Sequence, residues 1–206
     1  MTNTVATKDR IIDAATLLVS EKGYLGATTR EIASRAGVTE LTLFRHFGSK
    51  ERLFEALLGR QMFLPRLKEI MPKVDALSYE EGLQVIGEGF LLSLKERKPL
   101  IKIMHSEVNH YPDKVRKIYN QLIDATREVL KDYFAGLQKK KVLRAFGPDM
   151  AAKAFLGMLF SYFRTEEIMR GVDITRGGRL SRDVRELVDL FVNGTASRNG
   201  AKRRHS

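Results

Sequence analysis

Apolar residues recur along almost the whole chain with the spacing that places them on one face of an α-helix. The first such stripe runs from Ile11 to Val19, and Gly23 is the predicted end of its helix. No segment shows the strict alternation of a half-buried strand, and no internal repeat is present. The pattern therefore predicts an all-α protein.

Two short amphipathic segments follow, and a single glycine separates them. Thr29 is the predicted N-cap of the first segment, which ends at Gly37, where the turn needs a positive φ. Thr39 is the predicted N-cap of the second, with Leu43 and Phe47 on its apolar face. Two short helices joined by a tight turn that contains Gly indicate a helix-turn-helix. An ordinary helical corner is the alternative that this spacing leaves open.

The polar side of this motif carries side chains that suit DNA. A recognition helix presents residues to base edges in the major groove, while residues beside it bind phosphate oxygens. Phe47 is predicted to fill the core of the motif, whereas Phe44 is predicted to lie on the DNA side or at the rim. The residues predicted to face bases are Thr39, Glu40, Thr42 and Arg45, and those predicted to face phosphates are Thr29, His46 and Lys50.

The helical period continues beyond Gly48. Ser49 is the predicted N-cap of the next helix, and residues 171–179 are predicted to form a loop. Small and basic residues after Thr195 predict a disordered tail. The further helices are predicted at 83–94, 100–109, 112–140, 150–169 and 181–192.

Composition narrows the possible functions. The 206 residues carry a formal net charge of +11, which indicates a polyanionic partner, although the first 50 residues hold only seven Lys/Arg against five Asp/Glu. The absence of Cys excludes disulfides, Cys-ligated zinc and thiol catalysis. No apolar run reaches the roughly 18 residues of a membrane span. The N-terminus lacks the pattern of a signal peptide, so we expect a cytoplasmic protein.

No motif predicts catalysis or a metal site. The chain has no glycine-rich phosphate loop, no nucleophile elbow and no acid–base pair at a supporting spacing. His105, Glu107 and His110 resemble metal ligands in type, but His105 would point away from the other two. His110 instead suits the C-terminal end of a helix, where a cation interacts favourably with the dipole. We therefore expect no catalytic residues, no cofactor and no bound metal.

The run TTREIASRAGVTELTLFRHFGSKERLF resembles the DNA-binding region of the TetR (tetracycline-repressor-like) family of bacterial regulators. The preceding KDRIIDAATLLVSEKGY is similar to the first helix of that family, so the resemblance covers roughly residues 8–58. It implies a three-helix helix-turn-helix DNA-binding domain followed by a helical bundle for ligand binding and dimerisation. Such regulators usually bind a near-palindromic double-stranded operator as dimers and leave it when a small molecule binds. The expected domains are 1–50 for DNA binding, 51–194 for effector binding and dimerisation, and 195–206 as a basic disordered tail.

The resemblance also implies roles for single positions. Leu41 stands where a small residue is common in the family, and its apolar side chain would favour a thymine methyl group. Phe44 stands where Tyr is frequent, so one hydroxyl that would contact phosphate is missing. The implied roles are phosphate binding for Thr29 and Lys50, base contact for Arg30, base reading for Glu40, Leu41 and Thr42, and contact with backbone or base for Phe44 and His46.

In this family the two last helices usually form the dimer interface as a four-helix bundle. Here they would lie near 149–170 and 181–193, and a homodimer is the expected state. The alternative is that their apolar faces belong to the core of a monomer. The apolar seam of the last helix consists of Leu180, Val184, Leu187, Val188 and Phe191.

An effector pocket is expected among the helices of the larger domain. Met and aromatic side chains suit a pocket for a largely apolar small molecule. Each candidate, taken singly, is also compatible with an ordinary place in the core, and His105 would be a polar group in the pocket. The candidates are Phe90, Leu94, Met104, His105, Tyr119, Ile123, Phe155, Met158 and Tyr162.

Two other functions remain open at this point. One is a sequence-indifferent architectural DNA-binding protein, in which the basic tail supplies most of the affinity. The other is a helical protein-interaction module with negligible affinity for DNA. The helix-turn-helix spacing favours a regulator, most simply a repressor, over both.

Overall fold

A computed structural model of the chain describes residues 2–196, except for the side chains of residues 2–4 and of Val108. This part of the chain contains ten α-helices and no β-strand, which confirms the all-α prediction. The helices are α1 (Thr2–Gly26), α2 (Thr29–Arg35), α3 (Glu40–Phe47), α4 (Lys50–Gln61), α5 (Leu64–Val74), α6 (Tyr79–Glu96), α7 (Lys98–Glu107), α8 (Asp113–Lys139), α9 (Pro148–Phe163) and α10 (Arg179–Thr195). Short 3-10 helices lie at Val108–His110 and Arg176–Gly178, and a π-helical turn at Arg164–Met169 follows α9.

The chain divides into two compact units. The first comprises residues 1–62 and 97–122, and the second comprises 63–96 and 123–206, so α8 contributes to both. Residues 97–122 join the first unit because α7 packs along α1. The predicted functional boundaries at residues 50 and 194 are a different division and stay a prediction, because packing does not locate a function.

One continuous core holds the first unit together. The apolar stripe of α1 is buried, and side chains from α2, α3, α4 and α7 complete the cluster. Leu100 and Met104 of α7 lie in the same cluster as Ile11 and Leu18 of α1. Burying apolar surface is the main favourable term in folding, so this cluster fixes where α2 and α3 lie.

Local hydrogen bonds define the beginnings of the short helices. The N-cap of α2 is Thr28, not Thr29 as the sequence pattern predicted. The Thr28 hydroxyl accepts from the backbone N–H of Glu31, while the Glu31 carboxylate accepts from the backbone N–H of Thr28. This capping box was missed because both threonines satisfy the cap preference, and Glu31 three residues after Thr28 decides between them. Thr39 and Ser49 cap α3 and α4, as predicted.

The second unit depends on close packing of α6. Gly87 of α6 lies so near α10 that a Cβ built on it would come within 2.8 Å of Val184 Cγ1. A Cβ on Gly82 would come within 2.7 Å of the hydroxyl oxygen of Tyr133. Buried Phe134 and Phe155 both pack against Phe191, with ring centroids 5.8 Å and 5.2 Å apart. Glycine therefore lets helices approach each other here, while aromatic rings fill the space between them.

Two features of the second unit differ from the sequence expectations. Helix α5 was not predicted, because prolines at 65 and 72 resemble helix breaks; Pro65 instead lies in the first turn, where no amide donor is needed. Helix α10 continues past the predicted stop at Gly194 to Thr195, whose hydroxyl donates to the carbonyl of Phe191. The Thr195 hydroxyl also bonds the hydroxyl of buried Tyr79. The rest of the predicted disordered tail, 197–206, lies outside the described residues.

Candidate DNA-binding surface

The turn between α2 and α3 has the geometry that the sequence predicted. Gly37 adopts φ +67°, and the backbone N–H of Val38 returns to the carbonyl of Ala33. Leu43 and Phe47 point into the core of the first unit and are almost fully buried. Because these two side chains are buried, the opposite face of α3 faces solvent.

That outward face is partly apolar. Leu41 is 79% exposed and Phe44 is 39% exposed. Thr39 and Arg45 are exposed, while Thr42 and His46 are half-buried. The Thr39 hydroxyl accepts from the backbone N–H of Thr42 and lies 2.9 Å from the Thr42 hydroxyl. We use the name recognition surface for Thr29, Arg30, Thr39, Glu40, Leu41, Thr42, Phe44, Arg45 and His46.

A hydrogen bond joins the first residues of α2 and α3. The Thr29 hydroxyl donates to Oε1 of Glu40 over 2.5 Å, and both side chains are half-buried. The bond spans eleven residues of chain and depends on the angle between the two helices. The expected phosphate ligand Thr29 and the expected base reader Glu40 are therefore hydrogen-bonded to each other.

Positive charge near the recognition surface falls into two groups. Lys22 pairs with Glu31 at 2.7 Å, and Arg35 pairs with Glu21 at 3.4 Å. By contrast, Arg30 and Arg45 are exposed and have no ion-pair partner among residues 2–196. These two guanidinium groups are therefore available to an external anion.

Lys50 lies beside the surface at the start of α4. Its Nζ lies 4.5 Å from the centroid of the Tyr24 ring, and the side chain is half-buried. Burial lowers the pKa of Lys50, while the carboxylates of Glu107 and Glu51 oppose that shift. Burial, with Glu51 nearby, raises the pKa of Tyr24 to about 12. In this structure the expected phosphate ligand therefore makes a cation–π contact within the first unit.

Glu107 has a role that the sequence did not indicate. Its Oε2 accepts from the backbone N–H of Tyr24 at 2.9 Å, and this contact ties the end of α7 to the end of α1. A Cβ on Gly23 would come within 1.9 Å of Glu107 Oε1, and Gly23 has φ +78°, so glycine is required there. Tyr24 and Glu107 are 83 positions apart in the sequence, so no local pattern could have linked them.

Among the described residues, no group of three or more His, Asp or Glu side chains could hold a metal ion.

Two family models match the chain. The model of bacterial regulatory proteins of the tetR family matches residues 11–57, which include α2, α3 and most of α4. The model of the C-terminal domain of AefR-like transcriptional repressors matches residues 81–194, more than half of the chain. The chain belongs to the TetR family. Proteins of this family are transcriptional regulators with a DNA-binding helix-turn-helix, not enzymes.

Individual TetR-family proteins agree with this assignment. The chain is 33% identical over 157 residues to the HTH-type transcriptional regulator YvkB of Bacillus subtilis, an alignment that covers 76% of this chain and 81% of YvkB. A TetR-family protein from Mesorhizobium loti superposes with a TM-score of 0.75 at 24% identity, over 96% of this chain and all of the other. The regulator FadR of Bacillus subtilis, solved with stearoyl-CoA, superposes with a TM-score of 0.68 at 19% identity, over 90% of this chain and 97% of FadR. At these identities the two structures show the shared TetR fold alone.

Helix α10, one of the two helices expected to form the TetR-type dimer interface, has two apolar sides. Val184 and Val188, part of the predicted seam of α10, are buried within the protomer. Val184 lies beside Gly87 of α6, so for these two buried residues the core interpretation is correct. Leu180 and Leu187 are half-buried, and Leu190 is 69% exposed. An apolar flank of α10 therefore remains uncovered in the protomer.

The expected effector-pocket residues are distributed over both units. Met104, His105 and Tyr119 belong to the first unit, where Met104 is buried and His105 is exposed. In the second unit the Tyr162 hydroxyl donates a hydrogen bond to Asp183. Burial is the main cause that raises the pKa of Tyr162, and this hydrogen bond is the second cause. The other second-unit candidates are Leu94 and Phe155, which are buried, Phe90 and Met158, which are half-buried, and Ile123, which is 40% exposed. Their role as a pocket stays a prediction.

No helix among residues 2–196 combines the length and the hydropathy that a membrane span requires.

Proposed function

We propose that this TetR-family protein is a transcriptional repressor that binds an operator through its recognition surface, as a homodimer, in the cytoplasm. The observation that carries the proposal is the orientation of α3. Leu43 and Phe47 face the core, so Leu41, Thr42 and Arg45 face outward together. A helix that presents a short, ordered set of hydroxyl, apolar and guanidinium groups suits the major groove.

Charge supports DNA as the partner of this surface. Arg30 and Arg45 have no internal ion-pair partner among residues 2–196, whereas Lys22 and Arg35 are paired. An unpaired surface guanidinium can neutralise a phosphate and release its counterion without first breaking an ion pair.

Titration of two fluorescent duplexes of equal length tests the DNA part of the proposal. One duplex carries the intergenic DNA next to the gene for this protein, and the other carries a shuffled copy. At about 150 mM salt we expect a preference of roughly a thousandfold or more for the intergenic duplex, as specific regulators show. Equal and salt-labile binding to this duplex and to every other tested promoter region would contradict sequence-specific recognition.

We assign the dimer interface to one side of α9 and α10. On α9, Met150 is 65% exposed, and the exposed residues Ala154, Gly157 and Ser161 share its helix face. Small residues let a second helix approach closely, and exposed Leu190 on α10 supplies apolar surface to bury. Each helix thus has exposed residues that a second copy of the chain could cover.

Two glycine-to-arginine variants test this interface. A Cβ on Gly157 of α9 or on Gly136 of α8 meets no atom within 4 Å, so neither substitution creates a clash at Cβ within the protomer. We expect Gly157→Arg to give a species near the monomer mass of 23.4 kDa by light scattering, and Gly136→Arg to keep twice that mass. A dimeric Gly157→Arg protein would show that α9 does not face the partner through this side.

We propose an acyl-CoA or a related amphiphile as the first effector class to test. FadR, with the same fold, binds stearoyl-CoA, and the expected pocket residues here are mostly apolar or aromatic. Stearoyl-CoA, a short-chain acyl-CoA and free CoA would be added to the preformed protein–DNA complex. Release by the long-chain compound alone would support an acyl-binding pocket, and indifference to all three would reject this class.

A further inference from the structure

The hydrogen bond between Thr29 and Glu40 changes what each residue can offer to DNA. A threonine hydroxyl has one proton to donate, and in Thr29 that proton points to Glu40 Oε1 over 2.5 Å. Thr29 is therefore committed to a carboxylate and is not poised to donate to a phosphate. The other carboxylate oxygen, Oε2 of Glu40, makes no hydrogen bond within residues 2–196.

This free oxygen lies where the DNA bases would be read. Glu40 is the first residue of α3, next to Leu41 and Thr42 on the recognition surface. The N-terminal turn of a recognition helix is the part that reaches base edges. The hydrogen bond from the Thr29 hydroxyl holds Oε1 of the carboxylate, which limits its rotation and therefore preorganises it.

The chemistry of a carboxylate restricts its possible partners on DNA. Phosphate oxygens are acceptors with negative charge, so they repel Glu40. In the major groove, the amino groups of cytosine N4 and adenine N6 are donors. Adenine also presents the acceptor N7 beside its amino group, which suits the mixed donor and acceptor of Gln or Asn. Cytosine N4 is a donor that a carboxylate alone can satisfy.

We propose that Glu40 reads a cytosine in each operator half-site through Oε2, and that Thr29 is the positioning residue that holds Glu40 for this contact. This inference rests on the proposed function, since it assumes that the recognition surface enters the major groove. It replaces the phosphate role that the family resemblance implied for Thr29. It also makes Glu40 a determinant of base identity at one defined position.

Selection from a pool of randomised duplexes tests the base assignment with the full-length dimer. We expect the wild-type protein to enrich a motif with an invariant C·G pair at one position of each half-site. Glu40→Gln should shift that position to A·T, because an amide pairs with adenine N6 and N7. In titrations, the preference for C·G over A·T should reverse, with a change of about tenfold or more per half-site.

Variants at Thr29 test the positioning role. Thr29→Val removes the hydroxyl and keeps the size, so the preference for cytosine at the Glu40 position should weaken while the rest of the motif persists. Thr29→Ser keeps the hydroxyl and should retain the preference. A phosphate contact predicts a different result for Thr29→Val, which is equal weakening on all sequences with an unchanged motif.

The outcomes separate failure of this inference from failure of the proposed function. Absence of any enriched motif with the wild-type protein would refute sequence-specific binding, and the inference with it. A clear wild-type motif that Glu40→Gln leaves unchanged, even with tighter overall binding, would overturn the cytosine assignment alone. Uniform weakening by Thr29→Val would return Thr29 to the phosphate role. Circular dichroism and light scattering of each variant confirm that fold and dimer are intact.

Discussion

The short helices of the first unit and the long helices of the second are fixed by different kinds of interaction. Thr28, Thr39 and Ser49 cap α2, α3 and α4 through side-chain hydrogen bonds. In the second unit, α5, α9 and α10 begin without a side-chain cap, although Ser78 and Glu81 form a capping box at α6. The long helices depend instead on the glycine contacts of α6 and on packed aromatic rings.

This difference determines what a sequence reveals about each unit. A cap and its partner lie three residues apart, so the sequence shows them directly. The contact between Gly87 and Val184 joins positions that are far apart in the sequence, and neither residue type indicates that it forms. Three pairs of variants and one pH titration test this contrast, and they follow in order of decreasing expected effect.

The largest effect should come from the two leucines of α3. Leu43 is fully buried and Leu41 is 79% exposed, so the same substitution acts on opposite sides of one helix. We expect Leu43→Ala to lower the free energy of unfolding by about 2–5 kcal/mol, and Leu41→Ala to change it by less than about 0.5 kcal/mol. Urea unfolding measures both. Leu41→Ala should weaken operator binding instead, and equal loss of stability in both variants would mean that the orientation of α3 is wrong.

A pair of glycines tests the close packing of the second unit. A Cβ at Gly87 must displace Val184, and we expect Gly87→Ala to lower the free energy of unfolding by about 1–2 kcal/mol after its gain in helix propensity. At Gly136, also within a helix, a Cβ meets nothing within 4 Å, so alanine should stabilise by about 0.5–1 kcal/mol. Thermal unfolding of both variants should therefore show shifts of opposite sign. Stabilisation by both substitutions would remove the argument for tight contact between α6 and α10.

The capping box of α2 should make a smaller contribution. Thr28→Ala removes the acceptor for the backbone N–H of Glu31, and we expect a loss of about 1 kcal/mol. Ser34, exposed within the same helix, provides the matched control, because Ser34→Ala removes no cap and should be nearly neutral. If both variants unfold at the same urea concentration, the cap does not contribute to stability.

The smallest effect is a pH dependence at Glu31. Hydrogen bonds from Lys22, then from Thr28, lower the pKa of Glu31 from its ordinary 4.5 to about 2. As the pH falls, the unfolded state therefore binds a proton at Glu31 before the folded state does. The contribution of Glu31 to stability is complete above pH 4.5 and is lost as the pH falls toward 2. An NMR titration of the Glu31 carboxyl should show this low midpoint, and Lys22→Met should raise it. A midpoint near 4.5 in the wild-type protein would contradict the contact geometry.

The helix-turn-helix was largely predictable because its signals are local. The caps Thr39 and Ser49, the turn glycine Gly37 and the apolar pair Leu43 and Phe47 are all visible within twelve residues of one another. The error at Thr29 arose where two adjacent threonines competed for one cap. The bond from Thr29 to Glu40 was beyond prediction, because it needs the angle between two helices.

The second unit was predictable in outline only. Periodicity located α6, α8, α9 and α10, but it could not tell which apolar side faces the protomer, as Val184 and Val188 show. Two prolines concealed α5, because a proline in a first helical turn and a proline that breaks a helix look alike in sequence. The effector pocket is harder still to predict from sequence, because its shape depends on how many side chains pack together rather than on one motif.

The most direct test of the account compares two arginines near the helix-turn-helix. Arg45 lies on the recognition surface without an ion-pair partner, and Arg35, the control, pairs with Glu21. We would measure operator affinity of Arg45→Ala and Arg35→Ala by fluorescence anisotropy from about 50 to 200 mM salt. The account predicts that Arg45→Ala weakens binding at least about tenfold, while Arg35→Ala binds like the wild-type protein. Equal affinity of the two variants, or a larger loss for Arg35→Ala, would show that the outward face of α3 is not the surface that binds DNA.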